Sequence, residues 1–414
     1  MKKFQVIVIG GGAAGFFGAI ACAEALPEAE VTILEKSREV LQKVLISGGG
    51  RCNVTHACFD PTDLVKYYPR GERELLGAFN RFGTRDTIDW FEKRGVQLKT
   101  EKDGRMFPVT DKSSTIIKCL DDSAARAGVT VKTQMDVTSI QPPDETHPQW
   151  KITCRKEEVF MADALLVTAG SSHRIWDLLE NIGHRIVLPV PSLFTFNCKD
   201  PRLEDLAGIS LPAVGISITG TKFKSHGPFL ITHWGMSGPA ILRLSAFAAR
   251  QLSEQQYRFE VDINLVFPRT NTETHTLLES NKATIPKKII SANGLFDIPL
   301  RFWQRLVLAA GITAEQRWTD ISKQQTRFLC EQLTAARFQI NGKSTFKEEF
   351  VTAGGVLLKE VDFRHFKSKI HPRLFFAGEV LDIDAVTGGF NFQAAWTGGY
   401  LAGKGIAECL GSEV

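Results

Sequence analysis

The stretch Phe4 to Gly15, FQVIVIGGGAAG, decides the fold. Phe4 to Ile9 is a continuous apolar, β-branched run of strand length that ends at Gly10-Gly11-Gly12, the pattern of a buried parallel strand. From Ala13 to Leu26 small and apolar residues recur at helical spacing, Pro27 stops the helix, and Glu30 to Leu34 (EVTIL) reads as a second strand. The chain therefore opens with a βαβ unit.

Between strand and helix lies Gly10-x-Gly12-x-x-Gly15. Gly10 permits the tight turn, Gly12 lets a pyrophosphate approach the backbone, and Gly15 lets the helix pack on the strand. The helix N-terminus, Ala13 and Ala14, favours phosphate charge. These glycines alone also fit a purely structural turn. Glu35 tells against that, because it ends the second strand 20 residues past Gly15, where an acidic side chain accepts hydrogen bonds from a ribose diol. Its charge also disfavours a 2′-phosphate, so the bound nucleotide is expected to be FAD or NAD and not NADP.

Two further segments choose between them. Lys43 to Thr55 (KVLISGGGRCNVT) sets Ser47, Gly48, Gly49 and Gly50 beside Arg51, Cys52 and Asn53. This reads as a loop whose exposed amides and one cation, Arg51, suit a second anionic or polar contact to a cofactor, or alternatively as a surface turn. Leu374 to Ala395 (LFFAGEVLDIDAVTGGFNFQAA) is a strand, then Gly378-Glu379, acids at Asp382 and Asp384, and Gly388-Gly389 leading into an apolar helix from about Asn391 to Leu410. A nicotinamide dehydrogenase has no need of this segment. A flavin needs a polar group at a strand end for its ribityl and phosphate groups. Its N1/O2 edge gains negative charge on reduction, which a helix N-terminus near Gly389 to Gln393 stabilises. FAD is the expected cofactor.

Thr84 to Arg94 and Ser113 to Ala127 carry helical periodicity, and Val129 to Ile140 alternates like one strand. After a loop at Pro142, Pro143 and Pro148, Ala164 to Thr168 (ALLVT) is a buried strand ending in Ala169-Gly170. From Val190 to Thr345 the pattern shifts to short alternating stretches, Val214 to Thr219 and Phe259 to Val266, then helical ones near Pro299 to Ala310 and Lys323 to Ala335. The expected class is α/β: a Rossmann-type, glutathione reductase-like FAD domain from residues 1–189 and 346–414. Residues 190–345 form an inserted β-rich, barrel-like domain with a small helical piece at about 275–337.

Composition sets outer limits. The 414 residues are 43% hydrophobic and 23% charged, which suits a globular chain of two or three units. Net charge is +4 without a run of five or six like charges, so no nucleic-acid partner is expected. Ala13 to Leu26 contains Glu24 and is too short to cross a bilayer, so no membrane association is expected, and the run does not read as a signal peptide because a strand rather than a charged segment precedes it. Eight scattered cysteines without a Cys-x-x-Cys pair fit reduced thiols in a cytoplasmic protein. No zinc-site spacing occurs, so no metal is expected, and Ser237 in Gly235-Met236-Ser237-Gly238 lacks nucleophile-elbow spacing. The sequence names no protein partner.

Taken together, the N-terminal fingerprint, SGGGRCN, Thr168-Ala169-Gly170, Thr232 to Ala240 (THWGMSGPA), Thr352 to Val356 (TAGGV) and GE-x-x-D-x-D-x-x-TGG-x-N-x-Q resemble the BaiN-like bacterial flavoproteins, often called aminoacetone oxidase-like. The resemblance covers essentially the whole chain. It implies a fold related to the fumarate reductase and succinate dehydrogenase flavoproteins. It also implies that Ala14, Glu35, Lys36, Arg51, Asn53, the backbone of Val137, Ala169 and Gly170 line the FAD, as do Gly378, Glu379, Asp382, Gly389, Phe390, Asn391 and Gln393. His56 departs from the small polar residue expected after GRCNVT, and Phe392 and Ala394 also depart, which bears on substrate fit. One member of the family resembles a reductase of steroid enones.

Candidates for the reacting centre are few. His233 in THWGMSGPA can exchange a proton near a flavin or serve as a hydrogen-bonded structural histidine. Arg105 can clamp a substrate carbonyl or carboxylate, or stand solvated. Cys52 and Cys58 have the wrong spacing for a disulfide reductase, and no second nucleotide fingerprint follows. The expected activity is an FAD-dependent oxidoreductase in which NADH or NADPH acts as transient reductant. Hydride passes through flavin N5 to a small unsaturated or carbonyl substrate. A substrate-fed oxidase and a non-catalytic flavin redox sensor are the alternatives.

Overall fold

The computed structural model describes residues 4–155, 157–344 and 351–412. It divides into two compact units, Met1–Val190 with Val351–Val414, and Pro191–Phe350. The expected boundary at 345/346 lies outside the described residues.

The first unit is built on strand β1 (Gln5–Ile9), helix α1 (Ala13–Ala25) and strand β2 (Glu30–Leu34). β1 pairs in parallel with β2 on one side and with the strand Ala164–Val167 on the other. Ala164–Val167 in turn pairs in parallel with Leu374–Phe376, and β2 with Thr130–Lys132. Strands of the chain's two ends thus share one sheet, whose central strands Gln5–Ile9, Ala164–Val167 and Leu374–Phe376 are buried as parallel strands between helices require, while the edge strand Thr130–Lys132 is exposed. The residues read as one strand from Val129 to Ile140 are two, Thr130–Lys132 and Val137–Gln141, in different sheets. The chain breaks between them at Gln134, which has φ 61°, so alternation continued across a turn that the pattern does not register.

α1 lies against the C-terminal helix Phe390–Gly411 at glycine contacts. A Cβ on Gly399 would sit 2.6 Å from Ala14 O, and one on Gly403 2.3 Å from Gly18 O. Any larger residue would push the helices apart. Phe17 stands among Trp90 (4.2 Å), Trp396 (5.1 Å) and Phe82 (5.8 Å).

The second unit holds a seven-stranded sheet in the order Ala336–Ile340, Phe259–Asn264, Ser210–Ile218, Lys224–Thr232, Gly235–Ser237, Thr195–Asn197, Gly342–Ser344. Its edge strands are separated in sequence only by Asn341, so the sheet curls until its edges meet, which makes it barrel-like. Alternation fits this: Phe259, Val261 and Ile263 are buried while Glu260, Asp262 and Asn264 are half-buried. The helix Pro239–Glu254 sends Ala240, Ile241 and Leu244 into the same core as Ile216, Phe229 and Ile231. Helices Asn271–Thr284, Leu300–Ala309 and Lys323–Thr334 supply the helical piece.

Candidate functional site

Three strand ends, those of β1, Ala164–Val167 and Leu374–Phe376, meet at one edge of the first unit's sheet, and each runs into a glycine turn. At the first, Gly10 has φ 110°, and a Cβ there would meet Thr168 O at 2.6 Å. Thr168 Oγ1 ties the turns together by donating to Ile9 O (3.0 Å) and Gly10 O (2.9 Å). A Cβ on Gly15 would lie 2.0 Å from Gly10 O. Gly12 differs: a Cβ there meets nothing within 4 Å, and α1 begins without a side-chain cap. Open space therefore faces the first-turn amides of Ala13 and Ala14, which an anion can satisfy.

Glu35 stands beside this turn. Its Oε2 accepts from Gly11 N and its Oε1 from Ser37 N, both at 2.8 Å, which fixes the carboxylate while leaving each oxygen a further lone pair. The neighbouring Lys36, Ser37, Gln134, Asp136, Arg155, Ser172 and Arg174 line a hollow of about 500 Å³. Arg174 pairs with Asp136 at 2.6 Å. Val137 opens the strand that follows this rim.

Gly170 (φ 60°) and Gly378 (φ 77°) close the other strand ends. A Cβ on Gly378 would approach Ala14 Cβ to 3.1 Å, and one on Gly170 would lie 3.8 Å from Glu379 Oε2. Glu379 also pairs with Lys43. Gly10 to Gly15, Thr168, Ala169, Gly170, Gly378, Glu379 and Lys43 are thus brought together.

The segment expected as a loop begins as a helix, Gln42–Gly50, that breaks at Ser47 (ψ 148°). Gly48, Gly49 and Gly50 then run in succession at φ 58°, 67° and 81°. Val44 is the one buried residue of this helix, while Leu45 is exposed. Gly49 and Gly50 face open space. Arg51 is half-buried over Phe107 (4.0 Å) and held by Glu101 at 2.6 Å.

The C-terminal helix starts at Gly389 (φ 92°), again without a side-chain cap. Asn53 has its polar groups satisfied when Oδ1 accepts from Gly389 N at 3.0 Å and Nδ2 donates to Thr55 O at 3.1 Å. Asn391 accepts from Ala385 N (2.9 Å) and donates to Ala385 O (3.1 Å), bracing the preceding loop. Tyr68 Oη donates to Phe390 O at 2.6 Å. Asp382 is buried, and Asp384, also buried, pairs with Arg70.

The remaining expected residues have the following surroundings. Gln393 is fully buried; it accepts from Thr55 Oγ1 (2.6 Å) and donates to Thr87 Oγ1 (2.9 Å) and Thr397 Oγ1 (3.1 Å). Its side chain ties the helix to Thr55 and Thr87. Cys52 is buried, and burial pushes its thiol up to about 12. Arg105 is tied to Glu101 (3.0 Å) and Asp103 (2.8 Å). His233 lies in the second unit, exposed on the rim of a hollow of about 660 Å³ with Cys198, Lys199, Thr232 and Gly235.

An aromatic stack that sequence reading did not assemble flanks Gly388: Phe390 lies 4.1 Å from Tyr67 and 4.6 Å from His56. His56 Nε2 donates to Asp103 O at 3.0 Å. Burial holds this imidazole below its ordinary pKa although the Asp103 carbonyl raises it. Nothing in the local sequence around Tyr67 signals this role.

Among the described residues no His, Cys, Asp or Glu cluster could hold a metal ion, and no helix is long and apolar enough to cross a membrane.

The sequence profile of the HI0933-like protein Rossmann domain matches residues 4–405. The chain belongs to this family. Among curated proteins it is similar to the ribosomal RNA dihydrouridine synthase of Escherichia coli K12, 28% identical over 420 residues and spanning all of both chains. It is also similar to the 3-dehydro-bile acid delta(4,6)-reductase of Clostridium scindens, 26% identical over 417 residues, covering 98% of this chain and 99% of the relative. Among solved structures, a 3-ketosteroid-Δ4-(5α)-dehydrogenase from Rhodococcus jostii RHA1 shares the fold at 12% identity and TM-score 0.52, covering 98% of each chain. The E. coli quinol fumarate reductase FrdA does so at 14% identity and TM-score 0.51, covering 100% of this chain and 72% of FrdA. As a member of the HI0933-like family the protein is an FAD-dependent oxidoreductase. The residues fit that cofactor: the open face at Gly12, the uncapped helix and the fixed Glu35 carboxylate are what a dinucleotide requires.

Proposed function

We propose that this protein is an NAD(P)H-fed FAD-dependent reductase of a carbon–carbon double bond conjugated to a carbonyl, and that a uracil base in ribosomal RNA is its substrate. The observation that carries the reading is end-to-end similarity to two reductive relatives. Their names describe chemically matched targets: the 5,6 double bond of uridine and the 4,6-diene of a 3-keto steroid are each conjugated to a carbonyl. The higher identity to the rRNA enzyme favours the nucleobase, and a cytoplasmic site of action follows from it. The compositional expectation of no nucleic-acid partner is set aside in this reading.

FAD belongs in the unit made by both chain ends. Its pyrophosphate would lie over Gly12 and the α1 amides, its ribose on Glu35, and its adenosine end toward Lys36 and Val137. Arg51, Asn53, Gly378, Glu379 and the Gly389 helix start would hold the ribityl and isoalloxazine end. Bound FAD supplies hydride-transfer chemistry. The chain's part is to position it, to place positive helix potential at the ring edge that becomes anionic, and to exclude water with the Phe390 stack.

An anaerobic titration of purified protein with NADH and then NADPH, followed by nucleoside mass spectrometry of rRNA incubated with the reduced enzyme, tests the reading. Bleaching of the flavin band and new dihydrouridine are expected. Bleaching with no dihydrouridine, while a 3-keto-4-ene steroid is saturated, would overturn the nucleobase assignment. A flavin that stays oxidised would overturn the nicotinamide-fed reaction.

A further inference from the structure

Net charge conceals an asymmetry. Residues 191–350 carry 19 basic against 14 acidic residues, so the second unit holds +5 and the remainder of the chain −1. Within that unit the strand Lys224–Thr232 turns Ser225, Phe229 and Ile231 inward and leaves Lys224, His226, Pro228 and Leu230 exposed. Lys222, just before the strand, is exposed as well. Phe267 lies beside this row, 37% exposed, its ring stacked on His226 at 5.3 Å and 19°. Gly215 lets it lie there, since a Cβ at that position would come within 2.9 Å of Phe267 Cδ2. Exposed Arg269 follows two residues later. The carboxylates of the same outer face are already answered: Asp262 takes Arg337 Nε at 2.8 Å, and Glu260 takes Arg337 at 3.5 Å. At the far end of the strand the next turn carries Trp234, 63% exposed, whose carbonyl accepts at 2.9 Å from the amide of Cys198, the residue before Lys199. His226 and Trp234 are eight residues apart, about 26 Å along an extended strand.

Exposed rings at intervals along a cationic sheet face are what an unpaired polynucleotide binds: bases stack on the rings, and ammonium and guanidinium groups meet phosphates. We propose that the outer face of the insert's sheet, from Lys222, Lys224, His226, Phe267 and Arg269 toward Trp234, binds single-stranded RNA. This rests on the ribosomal RNA reading above and names the surface that would carry the strand.

The test is fluorescence anisotropy of a fluorescein-labelled, uridine-rich 12-nucleotide RNA with FAD-loaded protein over a salt series. Lys222→Glu/Lys224→Glu should weaken binding at least about tenfold and flatten the slope of log K against log salt by about 1.4, two single-strand phosphate contacts. Phe267→Ala should weaken binding about tenfold with the salt slope kept. Lys93→Glu/Lys118→Glu, the same charge change in the other unit, should leave binding unchanged. Retained flavin absorbance and melting temperature show that each variant folds. Wild-type protein that does not bind, or equal loss in the control variant, overturns the surface. Dihydrouridine formation on rRNA is scored in parallel. If wild type and both surface variants form it equally, the surface falls and the functional reading stands. If none forms while the two surface variants alone lose RNA binding, the functional reading falls and the surface stands.

Discussion

Two glycine turns, Gly10 to Gly15 and Gly388-Gly389, each deliver a helix with no side-chain cap to the site, yet they are built in opposite ways. The first is nearly self-contained: β1, the turn and α1 are contiguous, and its glycines answer collisions with Gly10 O and the adjacent Thr168. The second is assembled from afar. Its Gly389 is received by Asn53, its Phe390 carbonyl by Tyr68 and its Gln393 by Thr55 and Thr87, partners more than 300 positions away. A contiguous anion site announces itself in sequence; an assembled one shows its glycines and hides its partners.

The sharpest test of the first turn pairs two substitutions. Gly15→Val should cost more than about 4 kcal/mol and yield no folded yellow protein, because its Cβ meets backbone. Gly12→Ala should keep the melting temperature of the FAD-free protein and lose FAD on desalting, because only ligand space is filled. Equal unfolding by both would break the distinction between packing and binding glycines.

At the second turn, Gln393→Leu should destabilise by roughly 3 kcal/mol in chemical denaturation, leaving the hydroxyls of buried Thr55, Thr87 and Thr397 short of a partner. A loss of FAD affinity without a loss of stability would instead put Gln393 against the cofactor. Glu35→Ala should weaken FAD binding by roughly 1.5 to 3 kcal/mol through lost charge-assisted hydrogen bonds; unchanged affinity in a titration of FAD-free protein would remove the ribose from Glu35.

The smallest effect is one of pH, away from both turns. Burial holds the His184 imidazole below its ordinary 6.5, even though its hydrogen bond to Glu360 at 3.1 Å raises it. Below pH 6.5 the unfolded chain takes a proton that the folded chain resists. The contribution is therefore complete above 6.5 and lost as pH falls through the lower folded value. Denaturant midpoints should decline over that interval, and less so in His184→Asn.

Legibility followed the same division. β1, α1, β2 and the Glu35 position could be read directly, because period and spacing are local properties. The His56–Phe390–Tyr67 stack, the Lys43–Glu379 pair and the Arg155 and Arg174 rim could not, since each joins segments that local pattern does not connect. The Gln42–Gly50 helix was hidden by its own glycines, and the Val129 to Ile140 alternation hid a change of sheet at Gln134. Charge averages over the chain: +4 overall combines +5 in residues 191–350 with −1 in the remainder.

The glycine-lined contact between α1 and the C-terminal helix sets an order in time. In a nascent chain the nucleotide fingerprint emerges long before Gly399 and Gly403, which seat the closing helix on Ala14 and Gly18. The insert is complete in sequence before Leu374–Phe376 exists. At a synthesis rate of roughly 5–20 residues per second, α1 waits tens of seconds for the helix that covers it, so losing the segment with Gly399 and Gly403 removes a wall of the first unit's core rather than trimming it.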